Sequence, residues 1–321
     1  GNDGVASAAT PEKLLIDMAG GGAPDLAPVF TNMMPKLMRM GLLEPLDDYL
    51  AKAEWKDNLL PVQKVAQYKG KTYGVVLTAS PNGLIYNKQL LDKAGVGVPT
   101  TPEEMLEAAR KVKKATGAFG YGFATRTADV LEAYIPLMQW AIGFGGDFSN
   151  DGVPTANDPK TIEGLNFLKR FFDEDLTPKG LDGPMLRKMF VEGKIAMLID
   201  GPWAITYVKE AAPDLYKYVG FAAPPTPTHA AITGGAFYTI PVRAKYKQEA
   251  FALLSLYNKP EWQSRWLEDL LQIPGQKAEI SPKLAKEHPW IEGMVDVAAK
   301  YPAGFGYSAP GFEEYAGEVQ R

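Results

Sequence analysis

The 321-residue chain holds few groups of the kind that make or break covalent bonds. It has no cysteine and two histidines, which excludes thiol nucleophiles, Cys-ligated zinc, iron–sulfur clusters, a disulfide framework and a His-rich metal site. Those histidines, His229 and His288, stand among Thr, Pro and Glu and read as loop residues, not general bases. A nucleophile elbow requires Gly-x-Ser-x-Gly after a strand. In Gly306-Tyr307-Ser308-Ala309-Pro310 a proline occupies the last glycine position, which argues against a serine hydrolase. Gly143-Phe144-Gly145-Gly146 is like a fragment of a dinucleotide loop, but Phe148 falls where the third glycine belongs and a helical segment precedes it, so a turn after a helix is expected. A carboxylate pair for glycoside hydrolysis need not be close in sequence, and Glu132 with Asp200 is the pair to consider.

The elements that would position such groups announce themselves by their starts. In Thr101-Pro102-Glu103-Glu104 a Thr cap, a proline at the first helical position and a Glu three residues after the cap coincide, and Met105, Ala108, Ala109 and Val112 continue at helical spacing. Thr10-Pro11 leads into Leu14, Leu15 and Met18. Asp158-Pro159 opens a run with Ile162, Leu165, Leu168, Phe171 and Phe172 on one side. Between these lie short apolar runs bounded by Gly, Pro or Asp, which read as buried strands: 26–30, 73–77, 84–86, 195–199, 219–223 and 236–242. Strands alternating with helices predict α/β layers with parallel sheets, and the length predicts two of them.

Composition narrows the partners. The chain is 46% hydrophobic and 22% charged, enough for a packed core, and its net charge of −4 gives no general attraction to nucleic acid or anionic lipid. The longest uncharged stretch, 219–242, contains Pro224, Pro225, Pro227, Gly234, Gly235 and Pro241 and so cannot be one membrane helix. No basic segment followed by an apolar one opens the chain as a signal peptide would.

Four segments taken together carry a family signal. They are Gly20-Gly21-Gly22-Ala23-Pro24-Asp25-Leu26 with Gly41-Leu42-Leu43-Glu44-Pro45-Leu46; Tyr73-Gly74-Val75 through Leu84-Ile85-Tyr86-Asn87-Lys88; Phe190-Val191-Glu192-Gly193-Lys194 with Gly201-Pro202-Trp203; and Gly234-Gly235-Ala236 with Ile240-Pro241. In that order the chain resembles the extracellular solute-binding proteins of family 1, the maltose-binding-protein-like sugar receptors of ABC importers. The resemblance implies a two-lobed α/β periplasmic-binding-protein fold of type II, with ligand in a cleft between lobes joined by hinge crossings. It places residues 1–79 and 236–303 in one lobe and 80–235 and 304–321 in the other. Crossings are expected at 78–82, 233–236 and 303–308. The family's N-terminal strand-helix-strand and its last helices have no counterpart in this sequence. The resemblance further implies a monomer without cofactor that delivers a mono- or oligosaccharide to membrane permease subunits, located in the periplasm or held on the outer surface as a lipoprotein. A glycoside-processing enzyme, or the same fold carrying a polyamine or peptide, are the alternatives.

A sugar site needs aromatic platforms for ring faces and planar polar groups for hydroxyls. Trp203 matches the family's stacking tryptophan, with burial against its lobe as the alternative. Asp200 would accept paired hydroxyls or cap the Pro202 helix. Thr31 and Asn32 match the family's cleft position and otherwise shape a turn. Ser80 and Asn82 lie on the first crossing, where Asn82 would bind ligand or backbone. Gly235 would allow close backbone approach, and Phe237, not Tyr238, is expected to face the ligand. Trp140 reads as core first and as a sugar contact second. Arg126, if turned to the cleft, would favour an acidic or sulfonated sugar; if solvated, a neutral one.

Overall fold

A computed structural model describes residues 11–20, 22–126, 130–150 and 153–304. The chain gathers into two compact units, Gly1–Ala79 with Gly234–Glu279, and Ser80–Thr233 with Ile280–Arg321.

In the first unit the sheet runs in the order Ala27–Phe30, Ala231–Thr239, Val75–Pro81, Ile273–Pro274. Its edge strand alternates as a half-covered strand must: Ala27 and Val29 are buried, while Pro28 and Phe30 are exposed. It pairs antiparallel with the next strand from Ala27 opposite Thr239 to Phe30 opposite Ala236. Gln63 clamps the entry of the third strand, donating through Nε2 to the Gly74 carbonyl at 2.7 Å and accepting from the Val76 N–H at 2.8 Å. Leu46, Val75, Ile240, Ala250 and Leu254 form a core under the rings of Tyr49, Trp55 and Phe251, and the helix Lys247–Tyr257 supplies its outer layer.

In the second unit the order is Val219–Ala222, Gly83–Asn87, Ile195–Asp200, Phe119–Gly122. The helix Pro102–Thr116 starts at the expected cap, where Thr101 Oγ1 accepts from the Glu104 N–H at 3.2 Å. The reciprocal bond is displaced by one residue, since the Glu104 carboxylate accepts from the N–H and hydroxyl of Thr100, both at 2.8 Å. Tyr121, Trp140, Phe167 and Phe171 form the aromatic centre of the core. The helix Pro159–Asp173 lies close on Val130–Gly143 because Gly164 has no side chain; a Cβ there would overlap the Trp140 carbonyl.

Four expectations are corrected. The sheets are mixed, not parallel: in the second unit Gly83–Asn87 pairs antiparallel with both Val219–Ala222 and Ile195–Asp200, while Phe119–Gly122 with Ile195–Asp200 is parallel. The strand expected over 236–242 is Ala231–Thr239, and Ile162 is 46% exposed because the buried face of its helix runs through Thr161, Gly164, Leu168 and Phe171. Residues 280–303, expected with 236–279, belong to the second unit. There the Ile291–Lys300 helix packs so tightly that a Cβ on Gly293 would overlap the Phe221 carbonyl, Trp290 Nε1 donates to the Tyr216 hydroxyl at 2.9 Å, and Pro302–Ala303 pairs with Ala231 and Ile232. Of the crossing expected over 303–308, residues from 305 on lie outside the described residues, as does the Ser308 segment.

Candidate functional site

Each unit gathers part of the expected residue set at one edge of its sheet. In the first unit the Ala27–Phe30 strand ends at Thr31, whose N–H and hydroxyl both donate to the Gly235 carbonyl at 3.1 Å. Thr31 is therefore a buried anchor of the turn, and Asn32, next to it, is exposed. Gly235 permits a backbone approach of the kind expected, but toward Thr78: a Cβ on Gly235 would overlap the Thr78 carbonyl oxygen. Phe30, 58% exposed and two residues before Asn32, is an aromatic platform that the sequence reading did not single out. Its only signal was the two-residue alternation of the strand.

In the second unit the register places Gly83 opposite Asp200, so Asn82 and Asp200 end neighbouring strands at the same edge. Asn82 is buried; its N–H donates to the Ile232 carbonyl at 2.8 Å, while its amide oxygen accepts no hydrogen bond. Ser80, at the end of the Val75–Pro81 strand, is partly exposed. Asp200 does not cap the Pro202–Ala211 helix, which has no side-chain cap. Its Oδ2 accepts from Arg187 Nε at 2.7 Å, and its Oδ1 accepts from Arg187 Nη2 at 3.2 Å and from the Gly201 N–H at 2.8 Å. The negative charge of Asp200 adds to the burial that holds the Tyr121 phenol far above its ordinary pKa, against the opposing Trp140 N–H. Trp203 is 45% exposed and lays its six-membered ring where a Cβ of Gly201 would stand. The indole and the Asp200 carboxylate thus flank one glycine.

Arg126 is fixed elsewhere. The N–H groups of Thr125 and Arg126 donate to the Leu181 carbonyl at 2.9 and 3.1 Å, and the guanidinium meets Asp182 at 3.2 Å, an exposed pair. Trp140 keeps its first reading, as core, and the expectation for Phe237 is corrected. Trp140 is fully buried, stacked on Phe167 at 5.4 Å and donating Nε1 to the Tyr121 hydroxyl at 3.2 Å, so it is core. Phe237 is fully buried opposite Val29, on the covered face of the sheet, and Tyr238, partly buried on the other face, stacks on Tyr257 at 5.4 Å. Of the carboxylate pair considered for hydrolysis, Asp200 is neutralised by Arg187, and the Glu132 side chain lies outside the described residues. Arg187 itself was missed, because Leu186-Arg187-Lys188 gives no local sign of which cation turns toward the strand.

Among the described residues no three His, Asp or Glu side chains converge to hold a metal ion, and no helix is long and apolar enough to cross a membrane. The first unit also carries a groove of about 820 Å³ lined by Tyr49, Trp55, Phe251 and the charged Glu44, Asp48 and Lys52; none of the residues expected at the site lines it.

The family model of bacterial extracellular solute-binding proteins matches residues 3–293. A putative binding protein of Brucella abortus (strain 2308) is 29% identical over 316 residues, 95% of this chain and 75% of that protein. The maltotriose-binding protein of Pyrococcus abyssi is 30% identical over 211 residues, 63% of this chain and 42% of that protein. Among solved structures, the sugar-binding protein MalE of Xanthomonas citri superposes with a TM-score of 0.85 at 21% identity, over 97% of this chain and 80% of that one. The GacH receptor of Streptomyces glaucescens, determined unliganded and with acarbose, gives 0.78 at 25% identity, over 97% and 81%. The two-unit α/β architecture is thus that of periplasmic sugar-binding proteins, and the chain belongs to the family of bacterial extracellular solute-binding proteins.

Proposed function

We propose that this solute-binding protein takes up a neutral oligosaccharide, holds it unchanged and delivers it to the permease subunits of an ABC importer. The observation that carries the reading is Trp203: a half-exposed indole, laid over Gly201 beside a carboxylate that ends a strand, offers a sugar ring a flat apolar face with a polar rim. Within their own units, Ser80 and Asn82 of the second and Asn32 and the backbone around Gly235 of the first are the further candidates, with Phe30 added from its exposure. The names of the relatives support the same ligand class, since they include binding proteins for maltotriose, maltodextrin and arabinooligosaccharide. A neutral ligand is favoured because Arg126 is engaged by Asp182 and Asp200 by Arg187. In this reading the protein works outside the cytoplasm, free in a periplasm or lipid-anchored, and the family's description as extracellular supports that.

The test is a thermal-shift screen of neutral, acidic and amino mono- and oligosaccharides, because a ligand that binds only the folded state raises the melting temperature by mass action. A neutral hit that disappears in Trp203→Ala and is recovered intact by chromatography, with no new reducing ends, supports the reading. New reducing ends would instead establish a glycoside-processing enzyme, and a polyamine or peptide hit would change the cargo.

A further inference from the structure

We infer that Arg187 is a specificity-determining residue, which turns Asp200 from an anionic ligand group into half of a neutral donor–acceptor rim beside Trp203. The inference rests on the reading of this edge as a sugar site and adds to it the reason for a charge preference. An ionised carboxylate has about four lone-pair positions. Three are occupied here, two by the Arg187 fork and one by the Gly201 N–H, so a single acceptor position on Oδ2 is left for a ligand. The fork in turn uses the Nε and one Nη2 hydrogen of the guanidinium, leaving the others as donors. Arg187 and Asp200 are 23% and 15% exposed, buried enough that neither charge is erased by solvent.

A rim of this kind meets a pair of hydroxyls with one acceptor and several donors and presents no net charge. An ammonium finds a carboxylate already compensated, and a carboxylate finds a guanidinium already engaged. The helix Gly183–Val191 organises the second charge pair as well: Asp182, its N-cap, accepts from the Met185 N–H at 3.0 Å and holds Arg126. One helix therefore compensates both the anion and the cation that the sequence offers to a ligand. No local signal in the sequence predicts this, because the partners lie 13 and 56 residues apart.

The experiment is calorimetric titration of the whole chain with three trisaccharides of matched length: maltotriose, or the tightest neutral ligand of the screen, a fully deacetylated chitosan trimer and trigalacturonate. The native protein is expected to prefer the neutral probe by about tenfold or more. Arg187→Gln leaves Asp200 uncompensated and should raise the chitosan-to-neutral affinity ratio by about tenfold, whereas Asp200→Asn should raise the trigalacturonate-to-neutral ratio by a similar factor. The double variant removes both charges and should restore the neutral preference, which a merely structural pair would not do. Proportional weakening of all three probes, with unchanged ratios in both single variants, overturns the inference and leaves the sugar reading intact. So does a native protein that prefers an ionic probe. A native protein that binds none of the sugars, while its melting curve shows it folded, refutes the sugar reading and this inference with it. If a single variant does not fold, the exchange Arg187→Asp with Asp200→Arg keeps the pair and must retain the neutral preference.

Discussion

The two tryptophans, Trp140 and Trp203, should respond to truncation in opposite ways. Trp140 has no exposed surface and packs on Phe167, Phe171, Tyr121 and Phe144 at ring separations from 5.4 to 6.2 Å. Replacing a buried Trp by Ala removes its transfer energy and leaves a cavity, together ~3–5 kcal/mol. It also strands the Tyr121 hydroxyl, which now accepts from Trp140 Nε1, at a further cost of ~1 kcal/mol. For a unit of this size each kcal/mol lowers the melting temperature by ~2–4 °C, so Trp140→Ala should melt roughly 10–20 °C earlier. Trp203 is 45% exposed. Its truncation should cost at most ~1–2 kcal/mol of stability but remove the stacking platform, weakening sugar binding by roughly tenfold or more. Differential scanning calorimetry and titration calorimetry on both variants separate the effects. Core and site would be wrongly assigned if Trp140→Ala melted like the native protein while losing affinity, or if Trp203→Ala lost stability and kept its ligand.

Packing and protonation give further tests. Gly164→Ala must push apart the helices Val130–Gly143 and Pro159–Asp173, at ~1–3 kcal/mol, whereas Gly97→Ala, which meets open space, should leave the melting temperature nearly unchanged. His288 lies in contact with the Tyr216 hydroxyl at 2.6 Å, and burial, followed by the charge of Lys209 and against that of Glu287, lowers its pKa below the ordinary 6.5. The unfolded chain takes up this proton first, so the contribution to stability is complete above about pH 6.5 and is lost as pH falls through the interval down to the folded value. Melting curves of the native protein and His288→Gln should therefore differ in slope between pH 7.5 and 5; parallel curves would remove His288 from the pH response.

What the sequence made legible were effects that act within a few residues. Asp158-Pro159 and Thr101-Pro102 start helices through caps and prolines that need no tertiary partner, and both helices begin there. The apolar runs became strands because Gly and Pro bound them, although Ala231–Thr239 begins five residues ahead of the expected 236, in Ala231, Ile232 and Thr233, whose burial comes from partners far along the chain. Strand alternation correctly put Phe237 and Tyr238 on opposite faces but could not tell that the Phe237 face is the covered one. The same limit governs the site. Trp203 stood out through Gly201-Pro202-Trp203, whereas the partner of Asp200 lies on a helix whose phase relative to the strand is fixed only by packing.

The strand order of the first unit has a consequence for how the chain acquires its structure. Its central strand, Ala231–Thr239, lies between Ala27–Phe30 and Val75–Pro81, yet it follows them in sequence by the whole of Ser80–Thr233. A nascent chain stopped before that strand holds two segments of a sheet with nothing to join them. The hydrogen bonds from the Thr239 hydroxyl to the Ala27 carbonyl and from Thr31 to the Gly235 carbonyl close loops of more than two hundred residues, which makes this unit rich in late, distant pairings. The intervening segment, by contrast, pairs Gly83–Asn87, Ile195–Asp200 and Val219–Ala222 within itself. Synthesis therefore delivers most of the second unit's sheet before the first unit's sheet has its middle strand.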